Sequence, residues 1–284
     1  MKIFTPRWSY QAISITGDWC ALNCSYCKGR YLRGMIPVDV RNISDTLIEM
    51  WKNGVKGVLI SGGFNKDGRL PIEPYLDGLH EIKRKTDLFI SMHSGLIRDK
   101  DLLIHLSKVI NLVDYEYLWS MEMIQFVKNL KATREIFKES FELAREVGLD
   151  IVPHIYAWHP WVSREELRDE IEYFNSVGLE RVILLVYIPL RPEREGIESK
   201  NVLDNVRYIR ERFHGEVYMG CMRPWFIKRS IDKALMEENL VDRIVNPYPE
   251  LLRDKPKGVY DACCSIPRDM LVRFLIRNDP NSHY

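Results

Sequence analysis

The chain lacks most of what would mark it for a membrane, a secretory route or a nucleic acid. None of its apolar runs approaches the roughly 20 residues that span a bilayer. The opening Met1-Lys2-Ile3-Phe4-Thr5-Pro6-Arg7 has no apolar stretch of the kind a secretory signal needs. Its 41 basic and 40 acidic side chains leave a formal net charge of +1, too little to draw a phosphate backbone or an anionic lipid surface. These lacks predict a cytoplasmic protein with neither nucleic acid nor membrane as a partner. Glutamine is confined to Gln11 and Gln125 while Lys, Arg and Glu are plentiful, a bias shared with thermophilic proteins. Cysteine is scarce, at six residues. In a reducing compartment thiols serve metals or catalysis rather than disulfides.

The 284 residues are 46% hydrophobic, enough for a large core. Barrels of alternating strands and helices typically run to about 250 residues. Strand-length apolar runs are expected at Ala12–Thr16, Gly57–Ser61, Leu88–Met92, Leu112–Leu118, Asp150–Ala157 and Arg181–Ile188. Helical patterns separate them, near Val40–Trp51, Ile72–Lys85, Asp99–Val109, Ala132–Val147, Ser163–Val177 and Val202–Phe213. Ser163 is placed to cap its helix, and Gly148 and Gly178 to end theirs. Six strand-then-helix units in a row predict an α/β fold, a full or partial parallel (β/α) barrel spanning 1–215. Glu216–Gly220 is a candidate seventh strand. After Cys221 the pattern changes, so 216–284 is read as a C-terminal extension over the barrel. No internal repeat, low-complexity segment or linker is evident.

The stretch that organises the chain is Gly17-Asp18-Trp19-Cys20-Ala21-Leu22-Asn23-Cys24-Ser25-Tyr26-Cys27, with cysteines spaced C-x3-C-x2-C directly after the first strand. Cysteine thiolates hold Fe–S clusters, usually four to a cubane. Three on one loop hold three irons and leave the fourth open to a small chelating molecule. Zinc ribbons normally carry two C-x2-C knuckles, and no second one lies nearby. A zinc site or unrelated core cysteines are the competing readings.

This motif, with an aromatic residue (Tyr26) before the third cysteine, resembles the signature of the radical S-adenosylmethionine (SAM) superfamily. The resemblance implies a 4Fe–4S cluster on Cys20, Cys24 and Cys27, whose open iron takes the amino and carboxylate groups of SAM. It also implies an electron donor such as ferredoxin. Ser61-Gly62-Gly63-Phe64, after the second strand, stands where the family has Gly-Gly-Glu to bind the SAM amino group. Phe64 departs from that pattern and leaves backbone carbonyls to do the work. Ser91 and His93 close the third strand. Glu116 or Asp114 on the fourth is the expected acceptor for the ribose hydroxyls, the strand's alternation deciding between them. Tyr187 on the sixth lies where the family lines the adenine edge. His154, Tyr156 and His159 show no partner in the sequence.

Thr133–Val152 and Leu184–Leu190 further resemble biotin-synthase-like members. The cysteines that biotin synthase carries on inner strands are absent, as are those of an ordinary lipoyl synthase before its main motif. Three cysteines remain: Cys221, Cys263 and Cys264, followed by Ser265. They suit a second 4Fe–4S cluster, with Ser265 as a weak oxygen ligand; packing cysteines are the alternative. A biotin-synthase-like barrel with late cysteines resembles the archaeal two-protein lipoyl synthases. That resemblance implies sulfur insertion into an octanoyl chain on a carrier lysine, with a related radical SAM protein as partner. Trp158, Trp161 and Trp225 are candidates to line an acyl path. A radical SAM enzyme that methylates or rearranges carbon skeletons, without sulfur insertion, is the alternative, and a non-catalytic Fe–S or zinc protein is a third.

Overall fold

The computed structural model describes residues 1–190, 196–252 and 258–276. One curled sheet of twelve strands forms a half-barrel. Its central run is β2 (Tyr10–Ser14), β4 (Gly57–Ser61), β5 (Phe89–Met92), β6 (Leu112–Glu116), β7 (Ile151–Trp158), β8 (Arg181–Val186) and β9 (Glu216–Met219), all parallel. The two-residue β3 (Ile36–Pro37) edges β2. Beyond β9 the sheet continues through β10 (Arg243–Val245), then β1 (Lys2–Phe4), then β11 (Val259–Tyr260), still parallel, and ends in the antiparallel β12 (Leu275–Ile276). Strands β9–β12, from the segment read as an extension, therefore belong to the same sheet. Within that segment 253–257 and 277–284 lie outside the described residues.

Helices α1 (Ile43–Lys52), α2 (Leu76–Lys85), α3 (Lys100–Ser107), α4 (Arg134–Glu146), α5 (Arg164–Ser176), α6 (Ser199–Arg212) and α7 (Trp225–Glu237) connect the strands. Their ends follow the sequence signals. Asp99 accepts from the Leu102 N–H at 3.1 Å to start α3, and Ser163 from Glu166 at 3.0 Å to start α5. Left-handed Gly148 and Gly178 follow α4 and α5. Five of the six residues of β8 are buried, as in a strand covered on both faces.

The two faces of the sheet differ in chemistry. On the helix side of β6, Tyr115 packs against Phe137 and Phe141 of α4 and donates to the Phe137 carbonyl at 2.9 Å. The opposite, inner face therefore carries Asp114 and Glu116 together. Strand alternation cannot choose between these two carboxylates, because residues two apart share a face; their depth in the barrel separates them instead. Ser91, His154 and Tyr156 complete a polar lining.

The open side of the half-barrel is closed by side chains. Phe274 meets Tyr10 and Phe89 edge-on, with centroids 5.9 and 6.2 Å apart. Asp261 accepts the backbone N–H groups of Arg7, Trp8 and Ser9, at 2.5, 3.0 and 2.8 Å. Arg243 on β10 is 1% exposed. It donates to the carbonyls of Cys264 and Ile266 at 2.8 and 2.5 Å. The 261–266 segment is thus tied at one end to the start of β2 and at the other to β10.

Candidate functional site

The Cys20–Cys27 loop leaves the carboxyl end of β2, the end where such barrels place their chemistry. It is fixed mainly by backbone. Ala21 N–H donates to the Phe64 carbonyl at 2.8 Å, Ser25 N–H to Val127 at 2.9 Å, and Cys27 N–H to Cys24 at 3.1 Å. Asn23 and Lys28 adopt left-handed φ of 48° and 49°, which bends the loop back on itself. Gly63 passes so close beneath it that a Cβ there would lie 1.7 Å from the Trp19 carbonyl oxygen. Its N–H is held by Thr16 Oγ1 at 2.6 Å. Gly63 is therefore a structural requirement of the cysteine loop, whatever its contact with SAM.

All three thiols are free; Cys24 is buried, and Cys20 and Cys27 are partly exposed. Cys20 Sγ lies 3.9 Å from the Phe64 carbonyl oxygen and Cys24 Sγ 3.7 Å from that of Lys128. Burial pushes the Cys24 thiol up to about 11 against the opposing pull of Lys128, and metal binding displaces such protons. Among the described residues, no three His, Cys, Asp or Glu side chains converge to hold one metal ion. A mononuclear zinc site needs that convergence. A cubane does not, because its irons occupy separate corners. The donor set, three free thiols on one rigid loop, fits three irons of such a cluster.

Beside this loop lies a network that the sequence did not reveal. Lys128, 5% exposed, donates to Tyr26 Oη at 2.8 Å and to Glu116 Oε2. Tyr156 donates to Glu116 Oε1 at 2.7 Å. Burial would raise the Glu116 carboxyl, but the Lys128 ammonium outweighs it and holds it below the usual range. Burial opposes the charge on Lys128 too, yet Glu116 and the other neighbours raise it. Each Glu116 oxygen accepts one of these bonds and has capacity for a second. Tyr26 also meets Tyr187, with centroids 5.8 Å apart. Lys128 follows an apolar run between β6 and α4, with no periodicity or motif to single it out.

Deeper in the barrel, Ser61 Oγ and His93 Nδ1 are 3.1 Å apart. Ser91 is engaged with Tyr10 through a 2.6 Å bond between hydroxyls. His154 Nε2 lies 3.8 Å from Asp114 Oδ1, and its ring meets His93 edge-on at 6.4 Å. Tyr156 and His154, partnerless in the sequence, thus find acidic neighbours. Burial lowers both His93 and His159, the latter to about 4.

The remaining cysteines lie on two segments that follow different strands. Cys221 follows β9, and Cys263 and Cys264 follow β11. Cys221 is reached by solvent, Cys263 is partly exposed and Cys264 is buried. The protein atoms packed around the Cys221 thiol raise it although solvent reaches the residue, and Cys263 raises it further. Cys264 is raised by burial and then by Cys263, Asp114 and Cys221. The three thiols thus lie within electrostatic reach of one another and of the barrel interior. Ser265 is fully buried, and its hydroxyl has no hydrogen-bond partner among the described residues. Below Cys221, Arg223 is locked by Asp232 at 2.7 Å, which Lys228 also meets at 2.8 Å. Of the candidate tryptophans, Trp158 is buried in the core, whereas Trp161 and Trp225 are 42% and 64% exposed.

The chain belongs to the radical SAM superfamily, whose profile matches residues 14–174, more than half of its length. Membership implies a 4Fe–4S cluster and SAM. No curated protein matches the chain. Among solved structures it resembles methylornithine synthase (PylB), with a TM-score of 0.56 and 11% identity over 93% of this chain and 77% of that one. It also resembles the FeFe-hydrogenase maturase HydG from Carboxydothermus hydrogenoformans, with a TM-score of 0.57 and 14% identity over 86% of this chain and 58% of that one. Streptococcus suis SuiB gives a TM-score of 0.54 and 14% identity, over 88% and 53%. At such identities these likenesses concern the fold alone. No helix among the described residues is long and apolar enough to cross a membrane.

Proposed function

We propose that the protein is a sulfur-inserting radical SAM enzyme, a lipoyl synthase component that acts on an octanoyl chain attached to a carrier lysine. One observation carries this reading: all six cysteines fall into two trios, and the members of the second, although from separate segments, are within electrostatic reach of one another. Cys20, Cys24 and Cys27 would hold the first cluster, which when bound supplies the electron that cleaves the SAM sulfonium to a 5′-deoxyadenosyl radical. Glu116, oriented by Lys128 and Tyr156, accepts the ribose hydroxyls. The Gly62-Gly63-Phe64 carbonyls take the place of the missing acidic side chain. With cluster and SAM bound, that adenosyl radical would supply the abstraction of a hydrogen atom from the acyl chain held by the barrel. The carbon radical then forms a C–S bond to a sulfide of the second cluster, which is consumed as the sulfur substrate, and one electron passes to its iron. Exposed Phe126, Trp161 and Trp225 offer apolar surface for the entering chain.

A rearranging or methylating radical SAM enzyme is the competing reading. The polar lining of Asp114, His93 and His154 favours it, since such a wall suits a polar substrate. One experiment separates the two: anaerobic incubation with SAM, reductant and an octanoyl-lysine peptide, read by mass spectrometry for added sulfur and for 5′-deoxyadenosine. Cys20→Ala is expected to stop both products. Cys263→Ala is expected to leave 5′-deoxyadenosine formation and stop sulfur transfer. Sulfur transfer by Cys263→Ala would defeat the proposal.

A further inference from the structure

We propose that the turn after Cys27 is the docking surface for the protein that reduces the first cluster, and that this partner is a small electron carrier with an acidic face. The proposal rests on the first cluster alone, so it holds for either chemistry weighed above. From Gly17 to Val38 the chain carries three basic residues, Lys28, Arg30 and Arg33, against one acidic residue, Asp18. All three basic residues are exposed, and among the described residues none of them meets a carboxylate. Arg30 donates to Tyr31 Oη at 2.8 Å, and its guanidinium stands 4.9 Å over the Tyr31 ring. Arg207, Arg210 and Arg229 on the outer helices, by contrast, pair with Glu238, Asp242 and Glu250 at 2.8, 2.7 and 3.1 Å. On a chain of net charge +1, three unpaired cations in one turn make a local positive field.

The turn hangs directly on the cysteine loop. Lys28 N–H donates to the Cys24 carbonyl and Arg30 N–H to that of Cys27, each at 3.0 Å. Arg30 and Arg33 lie one turn apart in the short 3₁₀ segment Arg30–Gly34, where side chains three apart stand in line, and Leu32 between them is buried. The Tyr31 ring lies 6.3 Å from that of Tyr26, which sits between Cys24 and Cys27 in sequence. Cys27 is partly exposed, and Trp19 beside Cys20 is exposed. Each cleavage of SAM consumes one electron, which the partner loses and the cluster gains. Charge steers such an encounter, and electron-transfer contacts are small, below about 1,200 Å². One turn bearing two arginines, with Tyr31 and Trp19 exposed beside it, has the composition of such a contact. A partner that delivers substrate has to serve the barrel interior, whereas these charges attach to the cysteine loop itself.

The test uses the reconstituted full chain, with a reduced acidic ferredoxin as the probe and dithionite as the small-molecule reductant for comparison. Arg30→Glu with Arg33→Glu is expected to slow ferredoxin-driven formation of 5′-deoxyadenosine by about tenfold at low salt. Added salt should slow the parent and leave the variant unchanged. Dithionite-driven formation should be the same in both. Binding of oxidised ferredoxin, measured by interferometry without turnover, should weaken by about tenfold in the same variant. Arg30→Lys with Arg33→Lys should keep both rate and binding, as should Lys108→Glu, which follows α3 at the amino end of β6. Equal ferredoxin binding by the parent and the double Glu variant overturns the docking surface and leaves the cluster standing. A dithionite-driven rate that falls with the ferredoxin-driven one overturns it too, since the charges would then serve the cluster or SAM. So does a variant that loses an octanoylated carrier domain and keeps ferredoxin. A parent that forms 5′-deoxyadenosine from ferredoxin yet adds no sulfur to an octanoyl-lysine peptide defeats the sulfur-inserting reading and leaves this one standing.

Discussion

The two cysteine trios are built in opposite ways. Cys20, Cys24 and Cys27 sit on one loop, and its neighbours Phe64, Val127 and Gly63 meet it mainly through backbone. Cys221, Cys263 and Cys264 come from two segments after different strands. Arg243 and Asp261 anchor the segment that carries Cys263 and Cys264, and Phe274 packs against Tyr10 beside it. The first trio is local and tolerant of distant change; the second, on the proposed reading, depends on that anchoring. Damage to one should therefore spare the other.

The sharpest separation is expected from Gly63→Ala. A methyl group there meets backbone, which cannot swing aside. Iron in the reconstituted protein should fall from about eight to about four per chain, with SAM cleavage lost. Retention of the full iron content would mean that the loop is softer than it looks. Arg243→Leu should act on the second trio instead. It strands two buried carbonyls and costs about 4 kcal/mol in denaturant unfolding. The same variant should lower iron at the late cysteines while SAM cleavage persists.

Lys128→Met tests whether the first site depends on side chains at all. It leaves Glu116 without its counter-ion, at about 3 kcal/mol, and should weaken SAM binding by about tenfold in calorimetry. Adding Glu116→Gln should recover part of the stability and none of the affinity. The smallest effect concerns pH. His159 is 6% exposed and titrates near 4 when folded, against about 6.5 unfolded. The unfolded chain binds the extra proton, so stability falls as pH drops from about 6.5 toward about 4, by about 2 kcal/mol at pH 5. His93 is lowered in the same direction. In His159→Phe, chemical denaturation at pH 7 and pH 5 should show a correspondingly smaller loss.

The same contrast explains what could be read from the sequence. The strand-helix alternation, the Gly57–Ser61 strand and the Ser163 cap are local patterns, and the structure repeats them. The first trio was legible for the same reason. The placing of β1 between β10 and β11 was not, because Lys2-Ile3-Phe4 is too short for a periodicity and its pairing depends on residues far along the chain. Lys128 was missed because a single lysine after an apolar run looks like any surface lysine. Only the fold shows that it is buried against Tyr26 and Glu116. The Glu116/Asp114 choice failed on geometry, since residues two apart always share a face of a strand.

The position of β1 has a temporal consequence. Synthesis runs from Lys2–Phe4 through more than two hundred further residues before the neighbours on both its edges, Arg243–Val245 and Val259–Tyr260, have been made. Until then that short strand has nowhere to lodge, and the clasp over the late cysteines stays undone. Metal loading at the early loop can thus precede completion of the sheet, whereas Cys263 and Cys264 must wait for the strand pairing that comes just before them.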